Sequence, residues 1–211
     1  MARQFIFIAS LLLTLSAYGQ KRKNNLAKIP PGIPTKKEME TEERNQNCIK
    51  KTNKTFTARL KNYPFNISTQ IQLVSFKGTS RIENNKVVYL NDSLPRLNDT
   101  VCYSKLYEIK NLTFSQVDKL TDILYNYGYR GITYTMSSMS CYNPRNAILF
   151  LDSTGKAFEF IEICFECRQT VESSDKINIG EMCEQKMDML KNYFKKIGIE
   201  YGVTKGPIID D

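Results

Sequence analysis

Six cysteines and no histidine constrain this chain more than any other feature. Cys164 and Cys167 close a strongly apolar run, Cys141 lies upstream and Cys183 just beyond, while Cys48 and Cys102 sit in the N-terminal half. Cysteine in that number means cross-links, a soft-metal site or redox chemistry, and each makes different demands on its surroundings. The lack of histidine removes every His-containing zinc, haem or type-1 copper site. It also removes every Ser-His-Asp or Cys-His mechanism.

The compartment decides what the sulfur means. Residues 1–19 carry Arg3, an apolar stretch from Phe5 to Leu13, and Ala17-Tyr18-Gly19 with small residues where a signal peptidase reads. A signal peptide is therefore expected, with the mature chain starting at Gln20. No later stretch approaches the roughly 20 apolar residues of a membrane span, so no transmembrane segment is expected after signal removal. Gln20 is not a cysteine, which leaves a bacterial-type lipid anchor no attachment point. Export to a periplasmic or extracellular, oxidising location favours disulfides for an even number of cysteines.

The net charge of +8 is unevenly placed. Gln20–Tyr63 holds twelve Lys or Arg against four Glu, whereas the rest is close to neutral. Residues 20–47 have no aromatic side chain, open with Lys21-Arg22-Lys23 and contain Pro30-Pro31-Gly32-Ile33-Pro34. Such a stretch buries too little apolar surface to offset its ordering entropy, and it reads as a flexible basic tether. Residues 20–61 could also meet an anionic surface. Nothing downstream resembles a basic nucleic-acid groove with interleaved aromatics, so no specific nucleic-acid partner is expected.

Residues 48–203 are long enough for one core, and 204–211 read as a C-terminal tail. Strands are expected at Gln70–Phe76, Lys86–Leu90 and about Val101–Ile109, with Asn84-Asn85 turning between the first two. Thr113 and Gln116 form a capping box, and Val117, Leu120, Leu124 and Tyr127 repeat on one helical face until Gly128. A tyrosine-rich segment, 125–142, follows. It suits either edge packing or a binding loop. Ala147–Leu151 and Phe158–Cys164 form a hairpin about Asp152-Ser153-Thr154-Gly155, apolar on both faces as in strands central to a sheet covered on each side. If Asp152 faces Ala157, Arg145 faces Cys164 and lies diagonal to Glu162 and Glu166. That makes a cross-strand ion pair, with an anion-binding Arg145 as the lesser alternative. The last helix carries Cys183, Met187, Leu190, Phe194 and Ile197 on one stripe and stops at Gly198. The expected fold is a single α+β domain, with a mainly antiparallel sheet, two packed helices and disulfides, preceded by signal peptide and tether.

For the cross-links, Cys164 on a strand that the last helix covers suggests Cys164–Cys183. Cys141–Cys167 is next, which leaves Cys48–Cys102, one scheme of the fifteen that six cysteines allow. A redox reading of Cys164/Cys167 is disfavoured because the motif ends a strand rather than opening a helix, and Glu166 inside it would raise a thiol pKa. Zinc ribbons need two CxxC knuckles and this chain has one. A soft-metal site for Cu or Zn from Met136, Met139, Cys141, Cys164 and Cys167 remains as an alternative to packing; otherwise no cofactor is expected. Paired carboxylates could come only from Glu159, Glu162 and Glu166, with Glu159 on the other face. No phosphate loop, nucleophile elbow or acidic metal cluster is present, so no catalytic residue is assigned and an enzyme is not expected.

The string Cys141-Tyr142-Asn143-Pro144-Arg145-Asn146-Ala147-Ile148, followed by Phe150, Asp152, Gly155 and Ile163-Cys164-Phe165-Glu166-Cys167, resembles a group of uncharacterised exported proteins of Bacteroidetes-type bacteria. The resemblance covers roughly residues 113–202. It implies a Gram-negative origin and carries no activity. The expectation is an exported, disulfide-stabilised, non-enzymatic binding or envelope-associated protein of unknown ligand. The alternatives are a periplasmic soft-metal binder and a thiol-disulfide protein using Cys164 and Cys167.

Overall fold

The computed structural model describes residues 34–77, 80–83, 86–89, 93–134 and 141–206. The expected signal peptide, Met136, Met139 and the Asn84-Asn85 turn lie outside these residues. In chain order the elements are α1 (Lys36–Gln46), β1 (Cys48–Lys50), α2 (Phe56–Arg59), β2 (Gln70–Phe76), β3 (Ser80–Glu83), β4 (Lys86–Tyr89), β5 (Arg96–Leu97) and β6 (Thr100–Val101). After a 3-10 turn at Tyr103–Lys105 come β7 (Leu106–Asn111), α3 (Phe114–Asn126), β8 (Tyr127–Tyr129), β9 (Asn146–Leu151), β10 (Ala157–Cys164), β11 (Gln169–Glu172) and α4 (Lys186–Ile197). Together they make the expected single α+β domain.

Its frame is a five-stranded sheet in the order β11-β10-β9-β2-β7, antiparallel at every pairing. Side chains alternate between faces along a strand, so strands apolar at every position need cover on both sides. Here that cover exists. Ile71, Leu73, Ile148, Phe150, Ile161 and Ile163 pack beneath α3 and α4. Val74, Phe76, Ala147, Leu149 and Leu151 point the other way, against Leu94 and Val101 of the segment that carries β5 and β6. All six residues of β9 are buried.

The hairpin register expected from Asp152 and Ala157 holds from Glu159–Phe150 to Ile163–Asn146. At the turn end the pairing shifts, so that Ala157 faces Leu151 and a bulge separates it from Glu159. Asp152 closes that turn by accepting from the amides of Thr154 and Lys156. The expected single strand over Val101–Ile109 is instead broken between β6 and β7 by the 3-10 turn.

Helix α3 has the capping box read from Thr113 and Gln116, and Val117, Leu120 and Leu124 are buried. It ends one residue before Tyr127, whose backbone joins β8 to pair with β1. Helix α4 buries Met187, Leu190, Tyr193 and Phe194 and stops at Gly198, whose φ of 90° suits glycine. Cys183 precedes this helix rather than lying on its stripe.

The expected spacer, residues 20–47, also contains structure. Thr35 and Glu38 form a capping box that starts α1. The helix has no buried residue, and polar contacts hold its C-terminal end. The Tyr134 amide donates to Glu42 at 2.8 Å, Asn45 Nδ2 donates to the Ile132 carbonyl at 3.0 Å, and the Glu184 amide donates to the Gln46 carbonyl at 2.9 Å. Burial-based reasoning misses a helix anchored in this way.

The disulfides are Cys48–Cys183 and Cys141–Cys167, with Cα separations of 5.1 and 5.7 Å. The second agrees with the expected scheme. Cys164–Cys183 and Cys48–Cys102 are not formed, and Cys102 and Cys164 are free. The reason is sidedness: Ile161 and Ile163 face the helices, so Cys164 faces away from them, whereas Cys183 leads into α4. Cys48 sits on β1 beside Gln185, while Cys102 belongs to the cover on the opposite face.

Chain entropy ranks the two bonds by sequence separation, 135 against 26 residues. Replacing both cysteines of Cys48–Cys183 by serine should cost about 5 kcal/mol, and the same change at Cys141–Cys167 about 3.5 kcal/mol. Denaturant unfolding of the two double variants checks the order.

Candidate functional site

The sequence-predicted residues converge where β9 begins and β10 ends. Residues 141–145 lead into β9, and the turn Cys164-Phe165-Glu166-Cys167 leads out of β10 towards β11. Cys141 bridges the two stretches through Cys167. The Cys164 thiol donates to the Asn143 carbonyl at 3.3 Å, and the Cys167 amide donates to Cys164 Sγ at 3.3 Å. Cys164 is 1% exposed, whereas Cys141 is exposed. All three cysteines thus occupy one corner, with Cys183 elsewhere.

Two carboxylates in this corner have separate partners. Arg145, itself buried, donates to Glu166 at 2.7 Å. Glu162, 3% exposed, accepts from the Tyr142 hydroxyl at 2.9 Å and from the Leu94 amide at 2.7 Å. The expected cation between two carboxylates is therefore one ion pair, because Glu162 is taken by groups from two other segments. Burial, then the Glu162 charge, holds the Tyr142 phenol above its ordinary range. The Asn143 and Asn146 side-chain oxygens are buried and accept no hydrogen bond among the described residues.

Glu159 is anchored separately. It accepts from the hydroxyls of Tyr63, Ser173 and Ser174. Burial pushes its carboxyl up, but these hydrogen bonds outweigh that effect and hold it below the usual range. Each of the three carboxylates has its own donors, an arrangement that fits structural anchoring better than shared acid-base work.

In the tyrosine-rich segment, Tyr125 packs against the helix-side core, Tyr142 serves Glu162, and Tyr134 is exposed. Among the described residues no group of three Cys, Asp or Glu is placed to hold a metal. Cys141 and Cys167, two of the five candidate soft-metal ligands, are bonded to each other. No helix among those residues is long and apolar enough to cross a membrane.

Sequence reasoning missed Lys186, which has no exposed surface. Its ammonium donates to the carbonyls of Leu124 at 2.9 Å and Tyr127 at 2.7 Å, at the C-terminal end of α3 where a cation is favoured. Gly180, with φ of 77°, passes so close to the Leu124 carbonyl that a Cβ there would collide with it. The available signal was a lysine one turn before Leu190 on an inward stripe. An open groove of about 660 Å³ lies near α3 and α4, with Arg59, Asp118, Asp122, Tyr127 and Lys196 among its lining. Arg59 is part of the framework there: it is buried and donates to Asp118 and Thr121.

The geometry defines a disulfide-braced α+β domain with buried polar anchors at one sheet end. Compared with protein-family models, with curated proteins and with solved structures, the chain matches none.

Tyr142→Phe removes one donor from a buried carboxylate and should lower stability by about 1–3 kcal/mol in denaturant unfolding. A second expectation concerns pH. Burial lowers Lys186 from 10.5 to about 8, with the Glu181 charge opposing. Below the folded value both states hold the proton and the burial cost counts in full. Between the two values the unfolded chain binds more protons, so stability rises with pH. In a Cys102→Ser/Cys164→Ala background, which suppresses disulfide shuffling, Lys186 should add about 1–2 kcal/mol to the unfolding free energy from pH 8 to pH 9.5. Burial holds the Tyr63, Tyr125, Tyr142 and Tyr193 phenols above their ordinary range and opposes part of that rise, so the quantity to measure is the difference from Lys186→Met in the same background, which lacks the lysine contribution.

Proposed function

We propose that this chain is an exported, disulfide-stabilised binding protein of a Gram-negative cell envelope, without catalytic function. The observation that carries the reading is the pair of disulfides, one of which joins positions 135 residues apart. Bonds of that kind persist in oxidising compartments and are rare in reducing ones. The leader-like residues 1–19 agree with this. The anchoring of Glu159, Glu162 and Arg145 by neighbouring groups supports a scaffold role for them.

The partner surface is the basic N-terminal part, residues 20–61 apart from the buried Arg59, and its partner is an anionic envelope component. Residues 20–63 carry twelve Lys or Arg against four Glu, and the remainder is near neutral. Electrostatic contact of that type weakens with salt.

Expression of the full chain in a Gram-negative host, followed by osmotic-shock fractionation and intact-mass measurement, tests export. The expected product begins at Gln20 and holds two thiols per chain after denaturation. An unprocessed cytosolic chain with six thiols overturns the proposal. Sedimentation of the purified protein with phosphatidylglycerol vesicles should show binding that raised salt abolishes, and binding indifferent to salt rejects the anionic partner.

A further inference from the structure

The corner that holds Cys141, Cys164 and Cys167 contains one disulfide and, beside it, a thiol with no sulfur partner. We propose that these three cysteines form a thiol–disulfide exchange set, in which the free thiol moves from buried Cys164 to exposed Cys141. A disulfide on another protein is what such a thiol would meet, in a stoichiometric exchange without turnover.

Contiguity is the first support. Cys164 Sγ accepts the amide hydrogen of Cys167 at 3.3 Å, so the attacking sulfur lies against the residue whose sulfur it would attack. The thiol in turn donates to the Asn143 carbonyl at 3.3 Å, two residues from Cys141, so the sulfur sits between the two stretches that the disulfide joins. Glu166, the carboxylate inside the motif that would oppose a thiolate, is neutralised by Arg145 at 2.7 Å. The spacing Cys164-Phe165-Glu166-Cys167 is that of the two-residue turn that many dithiol centres close into a disulfide.

The step balances internally. Cys164, whose thiol hydrogen rests on the Asn143 carbonyl, gives its proton to water admitted when this end of the hairpin opens, and its thiolate attacks Cys167 Sγ. The Cys164–Cys167 bond forms as the Cys141–Cys167 bond breaks, and the Cys141 thiolate leaves and takes up a proton. One disulfide and one thiol exist before and after, so neither oxidant nor reductant is consumed.

The consequence is a change of access. Cys164 at 1% exposure is shielded from reagents and partners, whereas Cys141 lies on the surface. Exchange therefore converts a silent thiol into one that can attack an external disulfide: a mixed disulfide forms through Cys141 as the external S–S bond breaks, and the other sulfur leaves as a thiolate and takes up a proton. This goes beyond the binding role proposed above, and its test does not depend on export or on an anionic partner.

The experiment treats the folded, unreduced chain with a bulky maleimide under native conditions, quenches it in acid and maps the labelled peptides, with Cys102 as an internal reference. The expected result is label at Cys141 together with a Cys164–Cys167 disulfide, formed on the order of tenfold faster at about pH 8.5 than at about pH 7. In Cys164→Ala, which retains the Cys141–Cys167 bond, label at Cys141 should be lost. Native label that never reaches Cys141 at either pH value, whether at Cys102 alone or also at Cys164, overturns the proposal. So does label at Cys141 that persists in Cys164→Ala. If that variant fails to fold, the map of the unmodified chain decides alone, since a Cys164–Cys167 peptide is either present or absent.

Discussion

The rest of the structure depends on β9 and β10 having an apolar side chain at nearly every position. A strand of that kind cannot lie on a surface, because either face left to water would forfeit its burial. Helices α3 and α4 cover one face and the segment bearing β5 and β6 covers the other. Everything at the open end of the hairpin then has an assigned side. Ile163 goes under the helices and Cys164 goes opposite, and a shift of one residue would exchange them. The polar anchors at Glu162 and Arg145 stand at the limit of this buried pair, where apolar packing ends.

Much of the frame was legible because it is written in local periodicity. The bounds of β2 match the expected Gln70–Phe76, and the capping box of α3 was readable from Thr113 and Gln116. The register of β9 on β10 followed from its turn, apart from the bulge after Ala157. What could not be read was which face carries the helices. With Ile161 and Ile163 on one face of β10 and Phe160 on the other, nothing local tells Cys164 from a helix-facing residue, and the Cys164–Cys183 pairing failed on that point.

The candidate site was legible in its residues and not in its contacts. Cys141, Cys164, Cys167 and Arg145 do meet. The Glu162 anchor, however, combines Tyr142 with an amide 68 residues away, and periodicity carries no information about such a partner. Lys186 was invisible for a related reason, since a lysine next to an apolar stripe usually carries its charge to water. Its partners are carbonyls at the end of another helix, which only the packed arrangement supplies. Helix α1 gave the opposite failure: its capping box was present in the sequence, but it lacked the apolar face that usually signals a docked helix.

The bond between Cys48 and Cys183 sets an order of events for the chain. Of the six cysteines Cys48 is made first and Cys183 last, with the other four in between. Where thiols pair as they emerge, Cys48 meets Cys102 long before its native partner exists. The native bond must therefore be reached either by late oxidation, after β1 has found its place beside residues 183–185, or by reshuffling of an early wrong bond. Maturation of this domain is thus a late process: residues 48–185 must all be present before its longest cross-link can be correct.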